Sequence, residues 1–205
     1  MVEEIEYWTT DRNIQNIAFY DDALLIKPGN HIVPILKEAI KRGIRCNFHA
    51  PNGLHVREIE EELADLLFRG GFKTIRLGFE TSHETTQAET GGKVGNDEFV
   101  AAVRNLKRAG YSGDEIGVYV MVGLPGQRAR EAEESIAFVR AVGARPIIVE
   151  YSPIPHTLLF EKAKIMSPFD IENEPLYQNN SILPCQWEGF TMGDYRRFKE
   201  SVRRG

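Results

Sequence analysis

The feature that most constrains this chain is a regular alternation of segments with helical and strand-like apolar patterns. Residues 30–42 carry Ile32, Ile35, Leu36, Ala39 and Ile40 at helical spacing, and Gly43 follows. Residues 56–69 do the same with Val56, Ile59, Leu63, Leu66 and Leu67 ahead of Gly70-Gly71. A third helix, N-capped by Asn96, uses Phe99, Val100, Val103 and Leu106 and closes at Gly110. A fourth, over 129–142, uses Ile136 and Val139 and stops at Gly143. Each stripe has a period of about 3.6 and is followed by glycine, the residue that most readily takes a left-handed C-cap.

After each glycine comes a short apolar segment: 44–48, 74–79, 116–122 and 147–151. With 17–20 these predict five strands, their starts separated by roughly 30 to 40 residues, the size of a βα unit. Several lack polar alternation, as in a parallel sheet covered on both faces. The pattern reads as an α/β partial barrel over 1–160, followed by an extension over 161–205. Residues 1–9 read as the end of a helix. The proline-punctuated stretch 160–190 reads as loop, and 194–204 as a short terminal helix.

The chain has 205 residues and is 42% hydrophobic, enough for a substantial core in one domain or a large piece of a bigger one. A net charge of −5 leaves no basic footprint for nucleic acid, and no Lys/Arg block suggests an anionic membrane. No apolar run is long enough to cross a bilayer, and the acidic N-terminus is unlike a signal peptide. Two cysteines, Cys46 and Cys185, make neither a disulfide framework nor a multi-cysteine metal site, with Cys46 expected inside a strand. A cytoplasmic location is expected.

The chemistry collects where the predicted strands stop. Asp21-Asp22 ends the first, and adjacent carboxylates at a strand mouth need a cation or hydrogen-bond donors. His49 to Gly53 follow the second strand, Gly78 to Ser82 the third, Gly123 to Gln127 the fourth and Ser152 to Thr157 the fifth. A right-handed βα array places such segments on one rim. Arg76, Gly78 and Glu80 share one strand face by their spacing. Competing structural roles are a turn cap for Asp22 and an ion pair to a helix for Arg76.

The order Tyr-Asp-Asp-Ala-Leu (20–24), Arg-Leu-Gly-Phe-Glu-Thr (76–81), Val-Gly-Leu-Pro-Gly-Gln (122–127) and Ser-Pro-Ile-Pro-His-Thr (152–157) resembles the core of radical S-adenosylmethionine enzymes. The closer likeness is to the branch that often carries a cobalamin-binding domain. The resemblance implies strands 2 to 6 of a partial (β/α)6 TIM-like barrel, with S-adenosylmethionine and a [4Fe–4S] cluster as cofactors, and leaves open whether cobalamin is a further one. It assigns Asp21 and Asp22 to the cofactor's amino group, and Arg76 and Glu80 to its ribose and carboxylate side. Gly123, Pro125 and Gly126 fall on the adenine-side turn, and Ser152, Pro153 and Pro155 flank the adenine. His49 and Asn52 fall on the substrate side.

His156 departs from the resemblance by standing where the family has glycine, at a position suited to positive φ. The family's Cys-x3-Cys-x2-Cys loop has no counterpart here. The resemblance places that loop shortly before residue 1, so this chain alone is expected to be inactive and to supply no metal ligand. The whole enzyme would take electrons from a donor such as flavodoxin or ferredoxin and cleave S-adenosylmethionine to a 5′-deoxyadenosyl radical. That radical would abstract hydrogen from a small-molecule or other substrate. Two alternatives remain open from the residues: a metal-dependent hydrolase using Asp21, His49, Glu80 and His156, and a non-catalytic interaction domain.

Overall fold

The computed structural model describes residues 1–89, 92 and 94–203, so position 204 of the expected terminal helix lies outside the described residues. The elements run α1 (Val2–Thr10), β1 (Asn16–Ala18), α2 (Ile32–Lys41), β2 (Asn47–His49), α3 (Glu61–Arg69), β3 (Phe72–Glu80), α4 (Glu84–Glu89), α5 (Asn96–Ala109), β4 (Ile116–Val122), α6 (Ala129–Val142), β5 (Arg145–Glu150), α7 (Leu158–Met166) and α8 (Met192–Arg203). The five strands are parallel and form one sheet in chain order, unclosed and flanked by helices. This is the expected partial TIM-like α/β fold.

Several boundaries differ from the periodicity, each for a local reason. The second strand starts at Asn47 rather than at residue 44, because the Ile44 amide turns back to Ala39 O (3.0 Å) and closes α2. Cys46 therefore precedes the strand. The stripe over 56–69 is interrupted: Val56–Glu58 forms a 3-10 turn, and the helix proper begins at Glu61. Residues 158–166 form α7, which runs into the stretch 160–190 expected as loop. Thr157 caps it, its hydroxyl accepting from the Phe160 amide at 3.2 Å. Only Phe160 and Ala163 of α7 are buried, while Leu158 and Ile165 are exposed, a stripe too narrow to register as a helical period.

Two compact units divide the chain. The first comprises Met1–Phe79, Asn96–Val118 and Val142–Arg145; the second comprises Glu80–Gly95, Tyr119–Ala141 and the remainder from Pro146. In the first, α2, α3 and α5 present Ile32, Leu36, Leu63, Leu67, Phe99, Val103 and Leu106, all buried. Phe19, Phe48 and Phe72 form a three-ring cluster with centroids 5.5–5.8 Å apart, and Phe79 stacks on Phe99 at 4.2 Å. The Tyr111 hydroxyl, buried below α5, donates to Phe72 O at 3.0 Å. Burial, with the nearby Glu115 carboxylate, holds this phenol well above its usual pKa.

The second unit packs Leu124, Tyr151, Phe160, Ala163, Ile171 and Cys185 into one core. Helix α8 is fastened there by the carboxylate of Glu150, the last residue of β5. Lys199 Nζ lies 2.7 Å from it and the Tyr195 hydroxyl donates to it. Lys199 also donates to Ile148 O at 3.2 Å. Burial alone would raise the Glu150 pKa, but the hydrogen bonds from Lys199 and Tyr195 outweigh it and hold the group below the usual carboxylate range. Burial and that carboxylate push Tyr195 up to about 12.

A depressed folded-state pKa means that Glu150 stabilises the fold above its unfolded pKa and loses that contribution as pH falls through the folded value. Glu150→Gln should therefore lower unfolding stability at pH 7 by about 1–2 kcal/mol. It should also shrink the loss of stability between about pH 5 and pH 3 relative to the wild type. Urea titrations at several pH values check this, and parallel curves for the two proteins would refute it.

Candidate functional site

In the first unit, the candidate residues gather where β1 and β2 end. Both carboxylates after β1 are exposed, and each has one oxygen tied to the protein. Asp21 Oδ1 accepts from the Ala23 amide at 2.7 Å, forming a local turn. Asp22 Oδ1 accepts from Asn52 Nδ2 at 2.6 Å, and the same amide donates to Tyr20 O at 3.1 Å. The turn cap is thus Asp21, whereas the sequence offered Asp22 for that role. The second oxygen of each carboxylate has no hydrogen-bond partner among the described residues, so each of these exposed side chains keeps an acceptor open.

His49, by contrast half-buried, is committed within the sheet. Its Nε2 lies 3.0 Å from Asn16 Oδ1 and its Nδ1 lies 2.8 Å from Thr74 Oγ1. Asn16 Oδ1 also accepts from Asn47 Nδ2 at 3.3 Å, so a polar ladder crosses β1, β2 and β3. Along β3, Thr74, Arg76 and Gly78 alternate with buried Ile75, Leu77 and Phe79, which places Arg76 on the same sheet face as Thr74. Arg76 donates to Ile75 O at 3.0 Å.

The second unit holds the remaining candidates. Glu80 closes β3 with φ +70° and His156 sits at φ +68°, both in the left-handed region. His156 thus takes the conformation that glycine would supply at that position. A non-glycine residue held there costs roughly 1–3 kcal/mol, and such strain concentrates at functional sites.

The turn after β4 is built by Gln127, whose side chain is buried. Its Oε1 accepts from the Gly123 amide at 2.9 Å and from the Leu124 amide at 3.4 Å, and its Nε2 donates to Met121 O at 3.2 Å. Trp187 Nε1 donates to Gln127 O at 3.0 Å from outside. Gly123 has φ +78°, and a Cβ there would stand 3.0 Å from Leu183 Cδ1. Pro125 and Gly126 line a cleft of about 410 Å³ with His83, Glu131, Lys162 and Met166. Ser152 is half-buried, Pro153 buried and Pro155 exposed on the approach to Thr157.

Two groups of functional interest escaped the sequence reading. Gln127 was visible only as part of a motif, because its use as an internal clamp depends on the turn's geometry. Ser135 left a fainter signal, a hydroxyl within the buried stripe Ala132, Ser135, Ile136 and Val139 of α6. The hydrolase alternative gains no support, since no group of three or more His, Cys, Asp or Glu among the described residues could hold a metal ion.

Gln127→Ala would remove the side-chain partner of the buried Gly123 and Leu124 amides and of the Met121 carbonyl. It should cost about 2 kcal/mol and lower the melting temperature by roughly 4–8 °C in differential scanning calorimetry. An unchanged melting temperature would show that the turn does not depend on its glutamine.

The pattern that defines the radical SAM superfamily matches residues 1–139. No curated protein sequence matches the chain. Among solved structures, the fold is similar to TsrM of Kitasatospora setae, a radical S-adenosylmethionine methyltransferase determined with cobalamin and a [4Fe–4S] cluster bound. The TM-score is 0.65 at 18% identity, over 80% of this chain and 33% of that one. A second TsrM structure, with tryptophan and aza-SAM bound, gives a TM-score of 0.59 at 17% identity over 79% and 32%. Coproporphyrinogen III oxidase from Escherichia coli, a radical SAM enzyme, gives 0.57 at 12% identity over 84% and 36%. The chain spans about a third of the length of these structures. By the extent of the family match, with a fold that agrees, the chain belongs to the radical SAM superfamily.

Proposed function

We propose that this chain is the S-adenosylmethionine-holding part of a radical SAM enzyme of the cobalamin-associated branch. The observation that carries the reading is the carboxylate pair after β1. Asp21 and Asp22 each keep one oxygen bound to the protein and one open, which suits a cationic ammonium group receiving charge-assisted hydrogen bonds. Asn52 fixes Asp22, so its part is to orient the acceptor. In the second unit, the clamped turn at Gly123 to Gln127 carries glycines at 123 and 126, which let backbone come close to a planar heterocycle. Arg76, Glu80, Ser152, Pro153 and Pro155 are assigned to the same cofactor.

S-adenosylmethionine supplies the chemistry of the family, a sulfonium whose reductive cleavage yields a 5′-deoxyadenosyl radical. A [4Fe–4S] cluster does not fit the residues present. The sequence has two cysteines, and burial raises both thiols away from the thiolate form, Cys185 up to about 12. Reductive cleavage, hydrogen abstraction from a substrate, a flavodoxin- or ferredoxin-type electron donor and a cytoplasmic setting are proposed for the whole enzyme. Cobalamin is proposed on the fold's likeness to TsrM.

Isothermal titration of the chain with S-adenosylmethionine tests the reading. Asp21→Asn and Asp22→Asn should each weaken binding about tenfold. Neither should change the binding of 5′-methylthioadenosine, which lacks the ammonium. Equal affinity of wild type and both variants for S-adenosylmethionine would sink the proposal.

A further inference from the structure

Glu80 holds a left-handed backbone conformation at the end of β3 without being glycine, a conformation that persists where the surrounding structure holds it. The next residues are anchored by one buried hydroxyl on a distant helix. Ser135 Oγ, on α6, accepts from the Ser82 amide at 3.0 Å and lies 3.1 Å from Ser82 Oγ and 3.3 Å from Thr81 Oγ1. Its own proton goes to Glu131 O at 2.9 Å within the helix. A hydroxyl offers one donor and two acceptor positions, so the Ser82 amide and one of the two neighbouring hydroxyls can donate to it at a time. Thr81 and Ser135 are both completely buried.

The anchor is reinforced on both sides. Gln87 Nε2 donates to Thr81 O at 2.7 Å, and the His83 amide donates to Thr81 Oγ1 at 3.2 Å. Immediately before Ser135 on α6, the carboxylate of Glu134 meets His83 Nε2 at 2.8 Å. Residues 81–83 are thereby tied to α6 through polar groups, and Gln87 closes the segment back onto Thr81.

We infer that Ser135 is a positioning residue. Its buried hydroxyl fixes the turn at 81–82 and so holds Glu80 in the left-handed conformation that aims its carboxylate. Its bearing on cofactor binding rests on the assignment of Glu80 to S-adenosylmethionine above. The role itself concerns the backbone and can be tested without ligand.

The test is a double-mutant cycle of Ser135→Ala and Glu80→Gly in the full chain, because glycine takes positive φ freely and no longer needs the anchor. Thermal unfolding is the first readout. Ser135→Ala should lower the melting temperature by roughly 4–8 °C in the wild type and by less than half as much beside Glu80→Gly. Equal shifts in the two backgrounds would overturn the inference.

Binding is the second readout. Ser135→Ala should weaken S-adenosylmethionine about tenfold in the wild type and less than about twofold beside Glu80→Gly. Equal losses in both backgrounds would overturn the link from Ser135 to the cofactor. Wild-type chain that binds no S-adenosylmethionine would refute the cofactor reading, while the unfolding cycle alone would then uphold or overturn the role of Ser135.

Discussion

Where a strand of a parallel sheet stops, its amides and carbonyls lose their ladder partners, and whatever replaces them determines the shape of the site. In this chain the replacements are side chains. Asn52 serves Tyr20 O after β1, Gln87 serves Thr81 O after β3, and Gln127 serves both Met121 O and the Gly123 amide after β4. After β5 the Thr157 hydroxyl donates to Ile154 O at 2.8 Å and also caps the next helix. Each of these polar groups sets the direction of the chain as it leaves the sheet. The candidate cofactor residues are the neighbours of these clamps: Asp22 beside Asn52, Glu80 beside Thr81, and Gly126 beside Gln127.

Much of this was legible in the sequence, because βα repetition has a strong signature. The helix over 129–142 was read with the bounds it has, and so was the strand over 116–122, since both combine clean periodicity with sharp glycine punctuation. Helix α7 was not legible, because its buried face amounts to Phe160 and Ala163 and its start is set by a threonine cap rather than by an apolar stripe. Strand β2 was displaced because hydrophobicity cannot distinguish a residue that closes a helix, such as Ile44, from one that enters a sheet.

The candidate site divides in the same way. Residue types at strand ends could be read directly, and so could the carboxylate pair. The commitments of individual atoms could not. The resemblance puts His49 on the substrate side, but the residue type alone does not show that Asn16 and Thr74 lie within hydrogen-bond distance of its two ring nitrogens. Ser135 looked like an ordinary helix residue, yet it joins two segments that are more than fifty positions apart in the chain. Such long-range polar contacts carry no periodicity, so only the folded chain reveals them.

The stretch after α7 has little regular structure, yet it forms the outer wall of the turn at Gly123 to Gln127. Trp187 donates to the turn's backbone, Leu183 sits over Gly123, Gly189 O receives the Ala129 amide at 2.8 Å, and Ser167 reaches Pro184 O at 2.6 Å. The extension therefore belongs to the scaffold of the turn rather than hanging from it as a tail. Sequence drift in these coil residues would be felt as a loosened turn even though no strand or helix had changed. An excision drawn at the last strand would leave the glutamine clamp with no lid.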